Sequence, residues 1–409
     1  MHSKPREKSI SAYLLFLIWP FLSIIIAFYD YRQTWAKNII WLFVTFYGYT
    51  MVISNEGMDA NYYRDNFVET TESDVTINGI NLYSENSQLD ILQPLLNVVV
   101  SRFTDNYKIL FAIYGLIFGF FFSRNLWMLL CRLKHPETTI SIVLLITFSL
   151  INPIWNINGF RFWTAAQIFV YGILLYVLDG NRKGIYLVLT TFLVHFSFMF
   201  PITIMFIYLF AGNRLTTYFY FFLASLFISE LNLEMVKTNL EQFLPTAFES
   251  KINSYTNESY LESKLASVDN SNWYVMLYIK TLRYSIYAFL IFIYYRGSNY
   301  IKTKSTLLSL FCFILLFFGI ANIVSSIPSV GRFITVSMSF SIVLIFLFIQ
   351  TFEDKIMNYI VKISFPALFL YIIVTIRLGF NTIGITTVIG NPVLALFMEN
   401  DKALIELIK

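Results

Sequence analysis

Apolar residues run along this chain in long continuous blocks separated by short polar breaks. Blocks such as Ser305–Val324 and Tyr359–Ile376 run on without a period-two alternation, which predicts helices, whereas a membrane β-barrel would alternate apolar and polar positions. Crossing a bilayer takes about 20 helical residues. In hydrocarbon each backbone polar group must find its partner within the segment, so blocks of that length have to be helical. The pattern predicts spans at 12–28, 38–53, 107–130, 138–156, 159–178, 184–196, 198–211, 216–231, 273–294, 305–324, 332–350 and 359–377. The expected fold class is therefore all-α, a polytopic membrane protein of about 12 transmembrane helices forming one membrane domain over residues 1–409.

The polar breaks set the orientation. Basic residues gather in short loops: Arg32 and Lys37; Arg132 and Lys134; Arg182 and Lys183; Arg214; Arg296, Lys302 and Lys304; Lys355 and Lys362. The positive-inside bias assigns all of these to the cytoplasm. One long helix over 184–211 would throw the 296–304 cluster outside, whereas two short segments meeting near His195 and Pro201 keep every basic loop inside. A broken pair is therefore expected there. Counting back puts the N-terminus outside, although Lys4, Arg6 and Lys8 pull it inward. Ile91–Phe103, with Pro94 and Asn97 inside it, is too short to cross and reads as interfacial or re-entrant. Two long segments then face out, 54–106 and 232–272. The stretch 391–409 alternates apolar and charged residues and reads as an interfacial segment.

Composition removes several function classes. Of 409 residues, 57% are apolar and 13% charged, about half the charge of a soluble domain. No basic block suits nucleic acid, and no Gly-rich phosphate loop or Cys/His cluster suggests a nucleotide, metal or other cofactor. Cys131 and Cys312 sit in or beside apolar runs and imply no disulfide framework. The first apolar run lacks a small-residue cleavage site and reads as a retained span.

Polar residues at the expected outer ends of spans are the candidate chemistry. Asn158, Arg161 and Ala165 share a helix face by spacing. Arg161 suits an anionic phosphate by its permanent charge and planar donors, or else snorkels to the headgroups. His195 is the one histidine inside an apolar stretch; it is a candidate general base or an interhelical packing residue. Asp59, Tyr62, Tyr63 and Arg64 combine carboxylate and rings, which suits a sugar, although a solvated loop has the same composition. Arg332 opens the span 332–350, and Arg283, with Lys280, lies within the span 273–294, where cations are costly.

Asp59 with Tyr62 and Tyr63, Asn158…Arg161…Ala165, Asn181-Arg182-Lys183, His195-Phe196-Ser197, Gly331-Arg332-Phe333 and Gly390-Asn391-Pro392 occur in an order that resembles the EpsG-like family of bacterial polysaccharide polymerases. That group includes Wzy-type O-antigen and capsule polymerases. An arginine that family sequences carry before the first-loop aspartate is replaced here by Ile53-Ser-Asn-Glu-Gly57-Met-Asp59, with Arg64 as a substitute. The resemblance implies a metal-independent glycosyltransferase in the bacterial cytoplasmic (inner) membrane. It would move a growing glycan from undecaprenyl diphosphate to a lipid-linked repeat unit at the outer face, without a cofactor. Its partners would be the undecaprenyl-diphosphate-linked oligosaccharide, the lipid bilayer, a chain-length regulator and a flippase, with no nucleic acid. Within it, Arg161 and Arg332 would stabilise the diphosphate with Arg283 as a third cation. His195 would act as base, and Asp59, Tyr62, Tyr63, Arg64 and Asn158 would bind substrate. A flippase for lipid-linked oligosaccharide and an O-antigen ligase-like transferase are the rival readings. A polyprenyl-phosphate-sugar enzyme fits less well, because Asp30 stands alone at the end of the first span.

Overall fold

A computed structural model describes residues 5–53, 59–72, 90–134, 138–228, 272–327, 330–352 and 354–408. Apart from one isolated bridge between Gly384 and Ala403, regular structure among them is entirely helical. The expected segment 232–272 lies almost wholly outside the described residues.

The first expected span is not one helix. Trp19 is extended (φ −150°), which divides 12–28 into α1 (Pro5–Ile18) and α2 (Pro20–Tyr29), because Pro20 has no amide to continue α1. α3 (Ala36–Thr50) follows. The expected outer loop 54–106 holds two helices, α4 (Asp59–Glu72) and α5 (Leu92–Ser101). At 10 residues α5 is about 15 Å long, half a bilayer core. α6 (Tyr107–Leu130) matches its expected span. α7 (Thr139–Ile151) ends five residues early, where Asn152 turns away before Pro153. A 3-10 turn over Ile154–Gly159 leads into α8 (Phe160–Asp179), so Asn158 precedes the helix and does not share a face with Arg161.

α9 (Lys183–Val194) returns from a left-handed turn at Gly180. His195 breaks the chain in extended conformation, and after a 3-10 turn over Phe196–Phe198 α10 (Met199–Ala211) begins. The helix break therefore sits at His195, where charge patterning placed it. α11 (Leu215–Ser225), α12 (Trp273–Lys302), α13 (Ser305–Ile323), α14 (Arg332–Ile349) and α15 (Lys355–Gly379) complete the bundle. Two short helices, α16 (Ile385–Ile389) and α17 (Pro392–Phe397), fold back over its end.

Among the described residues six helical stretches are long and apolar enough to cross a membrane, one of them the broken α7–α8 pair over Thr139–Asp179. Five further apolar helices, α2, α5 and α9 among them, are shorter. The chain is thus a multi-pass membrane protein; six stretches of crossing length are shown among the described residues, and the expected count of about twelve is not. Among lipid tails helices are held by close packing and interhelical hydrogen bonds more than by water exclusion. Small residues supply the close approach: a Cβ on Gly48 would lie 2.2 Å from the Phe111 carbonyl oxygen, and one on Gly115 2.5 Å from that of Val44. α8 and α9 meet the same way, a Cβ on Gly184 falling 2.2 Å from the Gly172 carbonyl. The α8–α9 pairing matters most, since α8 begins beside Arg161 and α9 ends at His195.

Candidate active site

Four elements converge where α8 starts and α9 ends. The Asn158 side-chain oxygen accepts the Ala60 amide at 3.0 Å. It thereby caps the first turn of α4, whose leading amides have no partner within the helix, and ties α4 to α8. On the next turns of α4, Tyr63 is buried and its hydroxyl accepts Arg161 Nε at 3.2 Å, with the guanidinium 5.6 Å from the Tyr63 ring centre. Burial pushes the Tyr63 hydroxyl pKa up, opposed by the Arg161 charge, so the phenol stays protonated. Tyr114 of α6 lies under both, edge-on to Tyr63 and stacked on Phe160 at 3.9 Å.

Asp90 is the residue that sequence reading passed over. Its carboxylate is 7% exposed and lies 3.0 Å from Arg161 Nη1. Its other oxygen accepts the Phe196 amide at 2.7 Å and lies 3.9 Å from His195 Nδ1. The Ile91 amide also bonds the Leu193 carbonyl at 3.0 Å. One buried carboxylate thus joins the start of α8 to the break after α9. As the last residue of a polar loop Asp90 had no pattern to mark it. The one available cue was an acid placed directly before an apolar segment too short to cross.

His195 is held by its own backbone. Nδ1 accepts the Ser197 amide at 3.2 Å and lies 3.1 Å from the Ser197 hydroxyl. An amide can only donate, so in the neutral ring the proton resides on Nε2. The ring stands edge-on to Phe162 at 5.5 Å. Arg332 also lies against Phe162, its guanidinium 5.5 Å from the ring centre. Phe162 also touches Phe333 at 5.3 Å. The N-termini of α8 and α14 therefore meet, each carrying an arginine in its first turn. A helix N-terminus contributes positive potential of its own, so the place where they meet favours an anion. Arg332 is exposed and makes no ion pair among the described residues.

The remaining candidates divide. Asp59 is exposed, and its carboxylate lies 3.4 Å from where a Cβ on Gly159 would stand, which places it at the site beside Tyr63. Tyr62 is 47% exposed and packs edge-on against Tyr63. Arg64 pairs with its neighbour Asp65 at 2.9 Å, a half-solvated pair of small energetic weight. Among the described residues no contact brings Arg283 to this cluster. It lies over Tyr284 at 5.5 Å, and its buried Nε has no hydrogen-bond partner among the described residues. No group of three or more His, Cys, Asp or Glu gathers as a metal cage among the described residues.

Fold and site together define a class: a helical multi-pass membrane protein with ionisable residues collected where two helix N-termini meet at one end of the bundle. The chain belongs to the EpsG family, whose sequence model matches residues 39–383, a range that holds every residue of this cluster. Comparison with curated proteins and with solved structures finds no match.

Proposed function

We propose that the chain is a polysaccharide polymerase, a glycosyltransferase that elongates a glycan carried on a polyprenyl diphosphate at the outer face of the bacterial cytoplasmic membrane. The observation that carries this reading is the meeting of the α8 and α14 N-termini, with Arg161 and Arg332, beside an exposed carboxylate at Asp59. In the reaction the acceptor hydroxyl attacks the anomeric carbon of the donor. A new carbon–oxygen bond forms, the bond from that carbon to the diphosphate oxygen breaks, and its electron pair leaves on the diphosphate. Fixed cations and helix dipoles stabilise that developing charge without reorganising. Arg332, free of carboxylate among the described residues, is the first diphosphate contact. Arg161, already neutralised by Asp90, orients the cluster and faces the same anion.

The acceptor proton needs a base. His195 in its backbone-held tautomer offers an Nε2 proton, so it acts here as a donor to a sugar or phosphate oxygen. The Asp59 carboxylate is the better acceptor. Tyr62 supplies exposed ring surface for the sugar, and the buried Tyr63 holds Arg161 in place. Arg64 and Asn158 serve the loop's structure, and Arg283 supports the helix interior. A lipid-linked oligosaccharide flippase is the second reading, favoured by one feature, the buried Arg283 Nε near the middle of α12.

Deleting the gene in its host and complementing with wild type, Arg332→Ala or Asp59→Asn separates these readings. Lipid-linked and surface glycans are then resolved on a gel. Collapse of the ladder to single repeat units on the outer face, unrescued by either variant, is the expected result. Accumulation of single units only on the cytoplasmic face would make the protein a flippase. A full ladder from well-expressed variants would remove both residues from the chemistry.

A further inference from the structure

Beyond the cluster around Arg161, the same end of the bundle carries a second polar recess of about 90 Å³. It opens between the end of α3, the start of α6 and the C-terminal strand of chain after α17. Tyr49 and Tyr107 contribute rings, and Glu399, Asn400 and Asp401 contribute polar groups from the strap. Lys108 crosses beneath it, donating to the Met398 carbonyl at 2.6 Å and to the Glu399 carbonyl at 2.7 Å. The strap is held in place independently. Asp401 accepts the Thr386 and Lys402 amides at 3.0 and 2.9 Å, and the Thr50 and Thr387 hydroxyls meet at 2.7 Å.

The chemistry of this recess differs from that of the site. Its one cation is consumed by two carbonyls and faces two carboxylates, so it offers no net attraction to phosphate. Pockets that orient a ligand combine apolar and aromatic surface with a few converging polar groups. Tyrosine rings, an amide and carboxylate acceptors together suit a neutral or amino sugar, whose hydroxyls donate and whose ring face lies on an aromatic plane. Its position relates it to the site. Tyr107 and Tyr114 are on one helix, seven residues or about 10 Å apart. Ring contacts run Tyr107–Phe111–Tyr114–Tyr63 at centroid steps of 6.4, 5.3 and 6.0 Å. A glycan lying on the exposed Tyr62, which packs against Tyr63, and extending outward comes within a short oligosaccharide's reach of the recess.

We infer that the recess formed by Tyr49, Tyr107, Glu399, Asn400 and Asp401 is a distal sugar-binding subsite that holds the glycan several residues from its reacting end. The inference rests on the polymerase reading for its ligand, but its binding test does not require turnover. The probe is the lipid-free oligosaccharide released by mild acid from the host's own surface polysaccharide. It is added to the full-length protein in lipid nanodiscs and followed by saturation-transfer NMR. Wild type should bind it, and Glu399→Ala/Asn400→Ala should bind about tenfold more weakly, some 1.4 kcal/mol. In cells the double variant should shift the ladder to shorter chains, and its thermal unfolding should match wild type because Lys108 grips backbone carbonyls. Tyr107→Phe, which removes only a hydroxyl, should weaken binding in the same direction. Equal binding by wild type and both recess variants would overturn the subsite while leaving the polymerase reading intact. Failure of that reading shows separately, as an unchanged ladder on deleting the gene.

Discussion

At the residue scale, the site depends on a carboxylate that carries no chemistry of its own in the proposed reaction. Asp90 satisfies Arg161 and the Phe196 amide together, and removing one partner of a buried pair costs roughly 3–5 kcal/mol. Arg161 is about a quarter exposed, so water recovers part of that cost. Asp90→Ala should therefore destabilise by about 2 kcal/mol in detergent unfolding, and it should abolish the glycan ladder even where protein is recovered. His195 allows a finer separation of structure from chemistry. His195→Asn keeps an acceptor for the Ser197 amide and loses the Nε2 donor, so stability should hold while the ladder shortens or disappears. His195→Ala loses both, with about 1 kcal/mol of cap stability; equal activity of the two variants and wild type would return His195 to packing. His195 was legible as a candidate because ionisable groups are rare inside apolar stretches, and Arg161, Asp59 and Tyr63 because their residue types suit phosphate and sugar. Asp90 was not, since its role comes from a contact 71 residues away in sequence that no local pattern announces.

At the element scale, the relation of Arg161 to His195 is set by how closely α8 and α9 approach. Gly184 and Gly172 allow backbone contact that any Cβ would block at both positions, and overpacking costs about 1–3 kcal/mol. Gly184→Val should lower the yield of folded protein and its unfolding temperature; unchanged stability with normal ladders would show that the pair tolerates separation. A different device sets the start of α15. Asp354 accepts the Ile356 and Met357 amides at 2.7 and 3.1 Å and lies 3.2 Å from Arg296. The Met357 amide first, then the Ile356 amide and Arg296, hold its carboxyl below the usual range. A depressed pKa means the stabilisation is present above the ordinary value of 3.8 and is lost as pH falls through the folded-state value. Amide exchange in the first turn of α15 should thus rise below that pH in wild type and be raised throughout in Asp354→Ala. Helix positions were readable from apolar blocks, and those over 107–130, 305–323 and 332–349 coincide almost residue for residue. The failures fell where a single residue redirects the backbone: Trp19 before Pro20, and Asn152 before Pro153.

At the scale of the whole molecule, one end of the bundle collects the chemistry and the other the basic turns. Asp59, Tyr63, Asp90, Arg161, His195 and Arg332 lie at the end where α8 begins and α9 stops. Arg182 and Lys183 lie at the opposite turn between those helices. Single cysteines tested in a Cys131→Ala background, needed because Cys131 is exposed, should show this directly. A cysteine at Glu399 should react with an impermeant maleimide in intact cells, and one at Arg182 only after permeabilisation. The reverse pattern would invert the orientation and remove the outer-face reaction. The sequence by itself determined that this is an all-helical membrane protein, which ends carry polar groups, and its likeness to the EpsG family. Hydrophobic block length and charge bias are one-dimensional quantities, and a bilayer reads them that way. Only the tertiary structure decided that six helical stretches among the described residues have crossing length, that Asp90 completes the cluster while Arg283 stands apart, and that a second polar recess lies beyond the site. Those depend on backbone breaks and long-range contacts, whose energies arise between segments far apart in the chain.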